Sequence, residues 1–199
     1  MGNIYFDFVL LFLNFILEYV CAMKVIETGQ DWKIAALRSS FHVHFLFGGN
    51  MKDEFMNIAF DCAENAFKLD EVPVGAVIVK DNQVIAKGYN QKEKKNSIFE
   101  HAELIAIRDA EKKLKNWRLE DCDIYVTLDP CPMCASAIKQ ARIKNVYSAL
   151  ENSDSNNNTL ITNIFLADKV NSSVNYFTNL CVERSQNLLK LFFEKKRKK

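Results

Sequence analysis

Apolar and polar positions after residue 50 follow two periods, and each period predicts one kind of element. A three-and-four spacing typical of a helix with one buried face joins Phe55, Ile58, Ala59, Cys62, Ala66 and Phe67. Two β-rich runs at 74–79 and 84–86 flank polar residues 80–83, which predicts a hairpin. Further on, we expect helices over 101–114, 132–140 and 182–193, strands over 123–128 and 145–149, and a loop over 152–158. This alternation predicts an α/β fold, a single sheet with helices on both sides.

The first fifty residues do not share this pattern. An apolar stretch over 4–20 is interrupted by Asp7, Asn14 and Glu18, which argues against a membrane span and against stable membrane insertion. No basic residue precedes the stretch, so a secretory signal is not expected either. We therefore divide the chain into an N-terminal extension over 1–50 and a domain over 51–199, with Met51 as the hypothetical natural start. A peripheral membrane anchor is the competing interpretation of the extension.

Composition narrows the class of protein. A chain of 199 residues accommodates one domain with an appendage. The net charge is only +1, but residues 195–199 are all basic, which suits either phosphate contact or a solvated helix end. Besides one C-x-x-C pair, the cysteines at 21, 62, 122 and 181 show no paired spacing, so a reducing cytoplasm is expected. Cys62 and Cys122 are expected to be buried apolar residues.

Two short motifs carry the chemistry. His101-Ala102-Glu103 is followed downstream by Pro130-Cys131-Pro132-Met133-Cys134, an order that zinc-dependent nucleobase deaminases use. One imidazole and two thiolates leave a fourth zinc position open, which indicates a catalytic site. Zinc would acidify a water, and Glu103 would move its protons as general base and then general acid. The competing interpretations of C-x-x-C alone are a redox pair or half of a structural site.

The motifs and their surroundings resemble the bacterial tRNA-specific adenosine deaminases of the zinc-dependent cytidine and deoxycytidylate deaminase superfamily. The similarity extends over 72–76, 89–90, 101–103, 126–134 and 141–143, within a region from Met51 to the C-terminus. It implies a three-layer α/β/α cytidine-deaminase-like fold with a mixed central sheet, a cytoplasmic homodimer and one Zn²⁺ per subunit. The implied reaction is hydrolytic deamination of the wobble adenosine of a tRNA anticodon stem-loop to inosine.

The resemblance also implies roles for individual residues. His101, Cys131 and Cys134 match the zinc ligands, and Glu103 matches the catalytic proton shuttle. Asn90 matches the asparagine that binds the flipped purine. Either Glu151 or Asn152 matches a residue that contacts the substrate backbone. Phe192 and Phe193 lie in the segment that matches the last helix of the family, and they are expected to contact the RNA. The chain departs from the family at 97–100, where Ser-Ile-Phe-Glu replaces the usual Asp-Pro-Thr-Ala, and at Asp129, where a Glu is usual.

Two other functions are weighed against this one. Pro-Cys-Pro-Met-Cys also resembles guanine deaminases, so a small-molecule deaminase acting on guanine or a cytosine derivative is the first alternative. A non-catalytic, zinc-stabilised RNA-binding subunit is the second. Three features favour the tRNA enzyme: residues 126–129 just before the cysteine motif, Ala-Arg-Ile at 141–143, and the basic tail. The presence of Glu103 argues against the non-catalytic subunit.

Overall fold

The computed structural model describes residues 51–152, 155–167 and 174–198, and these contain six helices and five strands. In chain order they are α1 (Met51–Lys68), β1 (Gly75–Lys80), β2 (Gln83–Tyr89), α2 (Lys92–Lys95), α3 (Ala102–Leu114), β3 (Cys122–Val126), α4 (Pro132–Gln140), β4 (Asn145–Ser148), α5 (Ser155–Leu166), β5 (Asn175–Phe177) and α6 (Val182–Arg197). The predicted helices and strands all occur, and α6 runs four residues further than expected.

The strands form one mixed sheet in the order β2-β1-β3-β4-β5. Strand β1 is antiparallel to both β2 and β3, whereas β3, β4 and β5 run parallel. The hairpin between β1 and β2 turns through Asp81 and Asn82, whose φ angles of 50° and 58° are those of a type I′ turn. Short polar residues tolerate this left-handed conformation, so the sequence fixes the turn locally.

Helices cover both faces of the sheet because alternate strand residues point to opposite sides. Ile78, with residues of α3, α4 and α5, belongs to one buried cluster. Its neighbour Val77 belongs to the other, which includes Phe60 of α1 and Leu188 of α6. The residue pattern predicts this sheet with helices on both sides, and the family resemblance implies the three-layer α/β/α fold, so the fold-class prediction is confirmed.

One prediction is wrong. A loop was expected over 152–158, but α5 begins at Ser155. Ile161 and Phe165 of this helix are buried in the core beside α4. Tertiary packing of that apolar face therefore outweighs the weak helix preference of the serine and asparagines at its start. The short elements α2 and β5 were not predicted.

The cysteines of the described chain are free thiols. Cys62 and Cys122 are buried, as expected for small apolar residues, and burial raises the pKa of each thiol to about 11. The predictions for residues 1–50 lie outside the described residues. Where the structure is described, no helix combines the length and apolar character that a bilayer span requires.

Candidate active site

His101 lies at the start of α3, where the chain leaves the loop after β2. It is the N-cap residue, with an extended backbone (φ −76°, ψ 149°) and no hydrogen bond from its side chain to the helix. The imidazole is therefore free to face another partner. Close packing positions this end of α3, because a Cβ at Gly88 of β2 would overlap the carbonyl oxygen of Ala102. Only glycine lets α3 approach the sheet so closely.

The two cysteines lie at the start of α4, just after β3. Cys131 is the N-cap residue (φ −68°, ψ 166°), Pro132 occupies the first turn, and Cys134 follows with no exposed surface. Proline fits there because the missing N–H has no partner in a helix at that position. Residues three apart on a helix share a face, so both sulfurs point the same way. The starts of α3 and α4 thereby meet at one edge of the sheet.

The distances within this cluster fit a tetrahedral zinc ion. His101 Nδ1 lies 3.8 Å from Cys131 Sγ and 3.5 Å from Cys134 Sγ, and the three ligand atoms all lie within 4.8 Å of one another. Zinc bonds of about 2.0 Å to nitrogen and about 2.3 Å to sulfur, at tetrahedral angles, separate N and S by about 3.5 Å. Among the described residues this is the only group of three candidate ligands, and it contains no fourth. The donor set therefore suits a catalytic zinc with an open position.

Hydrogen bonds within the cluster shift the pKa values of all three candidate ligands. Hydrogen bonds with Cys134 and His101 lower the pKa of Cys131 to about 4, against the opposing effect of burial. The hydrogen bond with Cys131 raises the pKa of His101, whereas the charge of Lys92 acts in the opposite direction. A hydrogen bond with Cys131 and burial raise the pKa of the Cys134 thiol. Binding of a divalent metal would displace the remaining protons, so zinc affinity should rise with pH.

Glu103 is the second residue of α3 and is only 3% exposed. Burial raises the pKa of its carboxyl to about 7, and the negative charge of Cys131 adds to this effect. A carboxyl with a pKa near neutrality can both accept and donate a proton at physiological pH. Glu103 is not part of the three-ligand group, and its role as proton carrier stays a prediction.

Asn90 follows β2 and is 8% exposed. Its backbone N–H donates to the Val74 carbonyl at 3.0 Å, which fixes its position at the sheet edge. Within the described part of the chain, its side-chain amide makes no hydrogen bond. An amide without a hydrogen-bond partner in the protein is available to a bound ligand.

A closed loop over 91–100 connects Asn90 to His101, and we call it the rim loop. The Gln91 N–H donates to the Glu100 carbonyl at 3.0 Å and joins the two ends of the loop. The buried carboxylate of Glu71 accepts hydrogen bonds from the backbone N–H groups of Glu93 (3.2 Å) and Lys94 (2.6 Å) in this loop. Sequence reasoning missed Glu71, because nothing in its local pattern shows a partner 22 residues away.

The segment after β4 holds both candidate substrate contacts. The Glu151 carboxylate accepts the side-chain amides of Asn179 (2.8 Å) and Asn158 (3.0 Å). The Asn152 N–H donates to Asp129 Oδ2 at 3.1 Å, which connects this segment to the residues that precede Cys131. Both residues are half-buried. Asn158 and Asn179 were not predicted from sequence.

The two phenylalanines of the last helix, α6, differ in exposure to solvent. Phe192 is 3% exposed, and its ring packs edge-on against Phe67 of α1 at 6.1 Å between centroids. Phe193 is 48% exposed. Lys195 and Lys196 are helical and exposed, and their ammonium groups lie 3.5 Å and 2.9 Å from the Asp70 carboxylate. Asp70 thus partly neutralises the basic tail.

The fold and this cluster together define a deaminase. The chain matches the MafB19-like deaminase family over residues 50–197. It is 42% identical over 144 residues to the tRNA-specific adenosine deaminase of Rickettsia bellii, covering 70% of this chain and 98% of that protein.

The chloroplastic tRNA(adenine(34)) deaminase of Arabidopsis thaliana is 51% identical over 92 residues, which are 46% of this chain but only 7% of that much longer protein. A solved structure from a study of A-to-I editing by tRNA:A34 deaminases at the wobble position is 34% identical, with a TM-score of 0.63. The similarity covers 68% of this chain and 99% of that one. The chain belongs to the family of tRNA-specific adenosine deaminases.

Proposed function

We propose that this enzyme deaminates adenosine to inosine at the wobble position of a tRNA anticodon loop. The carrying observation is the His101, Cys131 and Cys134 cluster with buried Glu103 beside it, in a chain of this family. Water is consumed and ammonia released, so the exocyclic amino group of the base is replaced by a carbonyl oxygen. The alternatives, a guanine or cytosine-type deaminase and a non-catalytic subunit, are not favoured by these relatives.

The residues of the cluster divide the chemistry among them. His101, Cys131 and Cys134 would hold one Zn²⁺, which supplies the Lewis acidity that makes water a good nucleophile near neutral pH. Glu103 accepts the proton of the attacking water. It delivers this proton to the purine ring nitrogen. It then takes the second proton from the new hydroxyl group on the base and passes it to the amine, so that the carbon–nitrogen bond breaks, ammonia leaves and the hydroxyl becomes a carbonyl oxygen. Burial of Glu103 keeps competing solvent away from these transfers.

The remaining site residues would position the nucleotide. Asn90 offers an unpaired amide to the flipped purine, and the Glu151–Asn152 segment contacts the backbone of the loop. Phe193 and the lysines of α6 lie on an exposed surface that can reach RNA. For Phe192, whose ring is packed against Phe67, we propose an indirect role in orienting the helix.

We further propose that residues 51–199 form the deaminase domain, with 1–50 as an extension outside it, and that the enzyme binds RNA and acts as a cytoplasmic homodimer. The lack of paired cysteines among the described residues supports a reducing compartment. A soluble RNA substrate is also compatible with the cytoplasm. Sedimentation of the purified full chain measures its assembly directly.

A substrate panel tests the proposed function. Zinc-loaded protein is incubated with an anticodon stem-loop that carries a wobble adenosine, and separately with guanine, cytidine and a stem-loop with guanosine at that position. We expect inosine and ammonia only from the first. Ammonia from guanine or cytidine alone would replace the proposal by the small-molecule alternative, and RNA binding without turnover would favour the non-catalytic subunit.

A further inference from the structure

The rim loop carries an unusual exposed surface. The apolar side chains of Ile98 and Phe99 are 59% and 62% exposed, although they immediately precede the half-buried segment at 100–101. Lys92, Lys94 and Lys95 are exposed on α2 of the same loop, and Glu93 is the only acidic residue of that helix. Ten residues therefore combine an aromatic ring, an aliphatic side chain and three lysines, without a packing role for any of them in the described fold.

The loop is held in place, which separates it from a loose surface segment. Hydrogen bonds close its ends and hold α2 on the Glu71 carboxylate, as described above. Around Phe99, the Phe99 N–H donates to Ser97 Oγ at 3.3 Å, and Glu100 forms an ion pair with Arg108 of α3 at 2.9 Å. The backbone that carries the exposed ring is therefore held in place. Binding of a partner to the ring would cost little additional conformational entropy.

The rim loop connects two residues of the proposed active site, Asn90 and His101, so its surface lies next to that site. Phe99 precedes the candidate zinc ligand His101 by two residues, a chain distance of at most about 7 Å between their Cα atoms. At the other end, the loop begins directly after Asn90. A nucleotide whose base enters the site must therefore leave its flanking nucleotides near the rim loop.

From this placement we propose that the rim loop binds the single-stranded part of the RNA substrate, with Phe99 stacking on a base next to the reactive adenosine. Ile98 extends the apolar contact, and the lysines of α2 contact the phosphates. The proposal rests on the proposed function and adds a substrate-positioning residue to it. Aromatic rings interleaved with lysines are the usual means of holding unpaired nucleotides, since every base offers a flat face and every linkage a charge.

Kinetics of Phe99 variants test the stacking contact. We expect Phe99→Ala to raise KM for the wobble-adenosine stem-loop about five- to 150-fold, with a much smaller change in kcat. Phe99→Trp should keep KM within about twofold of the parent chain, because any large aromatic ring can stack. The matched control is Trp117→Ala, which removes another aromatic side chain, 52% exposed, beyond the opposite end of α3. That helix has 13 residues and is about 20 Å long.

The salt dependence of binding tests the lysines separately. Replacing Lys94 and Lys95 by Gln should reduce the slope of log Kd against log salt by about two, since each lysine displaced from a phosphate removes about one unit. The stem-loop and a fully paired RNA duplex are compared as ligands. Phe99→Ala should weaken binding of the stem-loop and leave that of the duplex unchanged.

Several results would overturn the rim-loop proposal. If Phe99→Ala and Trp117→Ala have the same KM as the parent, Phe99 makes no contact with RNA. If Phe99→Ala changes only the oligomeric state in sedimentation, the surface joins copies of this chain. In both cases the proposed function stands as long as the parent chain forms inosine. Failure of the parent chain itself to convert the stem-loop would instead refute the proposed function.

Discussion

Glu151 and Asn179 form a reciprocal pair. Asn179 Nδ2 donates to Glu151 Oε2 at 2.8 Å, and the Glu151 N–H donates to Asn179 Oδ1 at 3.1 Å. Asn179 has a φ of 61°, a left-handed conformation that asparagine adopts more readily than most residues. Asn179 therefore holds the carboxylate of Glu151, a proposed substrate contact, although the two residues are 28 positions apart in the sequence.

Asn179→Asp should weaken substrate binding. It preserves the backbone preference but replaces a donor by a carboxylate that repels Glu151 at neutral pH. We expect KM for the stem-loop to rise about tenfold, equivalent to about 1.4 kcal/mol, the order of one charged hydrogen bond. Asn179→Gly, which accepts the same φ without the repulsion, should have an intermediate KM. A KM equal to the parent value in both variants would show that Glu151 does not contact the substrate.

Glu103→Gln should abolish most turnover while leaving the metal site intact. Glutamine keeps the size of the side chain but cannot carry the proton, so kcat should fall about 10²- to 10⁴-fold. Zinc content, measured on the same sample, should stay at one per chain. Glu64→Gln is the matched control, because Glu64 is buried on α1 and lies 3.8 Å from Arg184. It should lower stability with little effect on kcat, and equal kcat losses in the two variants would contradict the role of Glu103.

Removal of one thiolate should remove the metal. Cys134→Ala leaves two ligands, so we expect zinc content well below one per chain after dialysis, together with a lower Tm, because metal binding contributes to folding free energy. Cys62→Ala changes a buried thiol outside the cluster and should retain full zinc. Metal analysis with a thermal melt makes the comparison. Stoichiometric zinc in Cys134→Ala would refute the ligand assignment.

Alkaline pH should destabilise the fold through its buried thiols. Cys62 and Cys122 have folded pKa values raised to about 11 from an ordinary value of 9.0, and burial is the main cause. Their contribution to stability is complete below about pH 9 and is lost as the pH rises to about 11, because the unfolded chain releases these protons first.

The free energy of unfolding, measured with urea, should therefore fall between these pH values by about 2 to 3 kcal/mol for each thiol. The double variant Cys62→Ala with Cys122→Ala should show a shallower fall than the parent. Burial also raises the pKa of Tyr125, which is still present in that variant. The fall in stability that remains in the variant therefore measures the contribution of Tyr125 and the other titrating groups. Parallel curves for the two proteins would contradict the prediction.

The spacing of apolar residues along the chain predicts most of the fold, because helices and strands each have a characteristic period over a few consecutive residues. The start of α5 was missed since its Ser and Asn residues favour loops, and only burial of Ile161 and Phe165 makes the segment helical. Strand β5 has three residues, too few to show a period. It forms because β4 offers it a parallel partner, and that is a property of the assembled sheet.

The candidate site divides in the same way. His101, Cys131 and Cys134 were predicted because a metal site requires particular donors at particular spacings, and Glu103 was predicted from its place two residues after His101 in the same motif. Glu71, Asn158 and Asn179 were missed because each acts through a partner distant in sequence. Residues 97–100 were recognised from sequence as a departure from the family, but the exposed surface of the rim loop and its closure onto Glu100 are visible only in three dimensions.

Reaction in isotopically labelled water tests the central claim most directly. Zinc-loaded protein is incubated with the wobble-adenosine stem-loop in water enriched in heavy oxygen, and the digested nucleosides are analysed by mass spectrometry. We predict inosine at the wobble position with one heavy oxygen on its ring and one ammonia released per inosine. An unchanged adenosine, in a preparation that contains one zinc per chain, would contradict it.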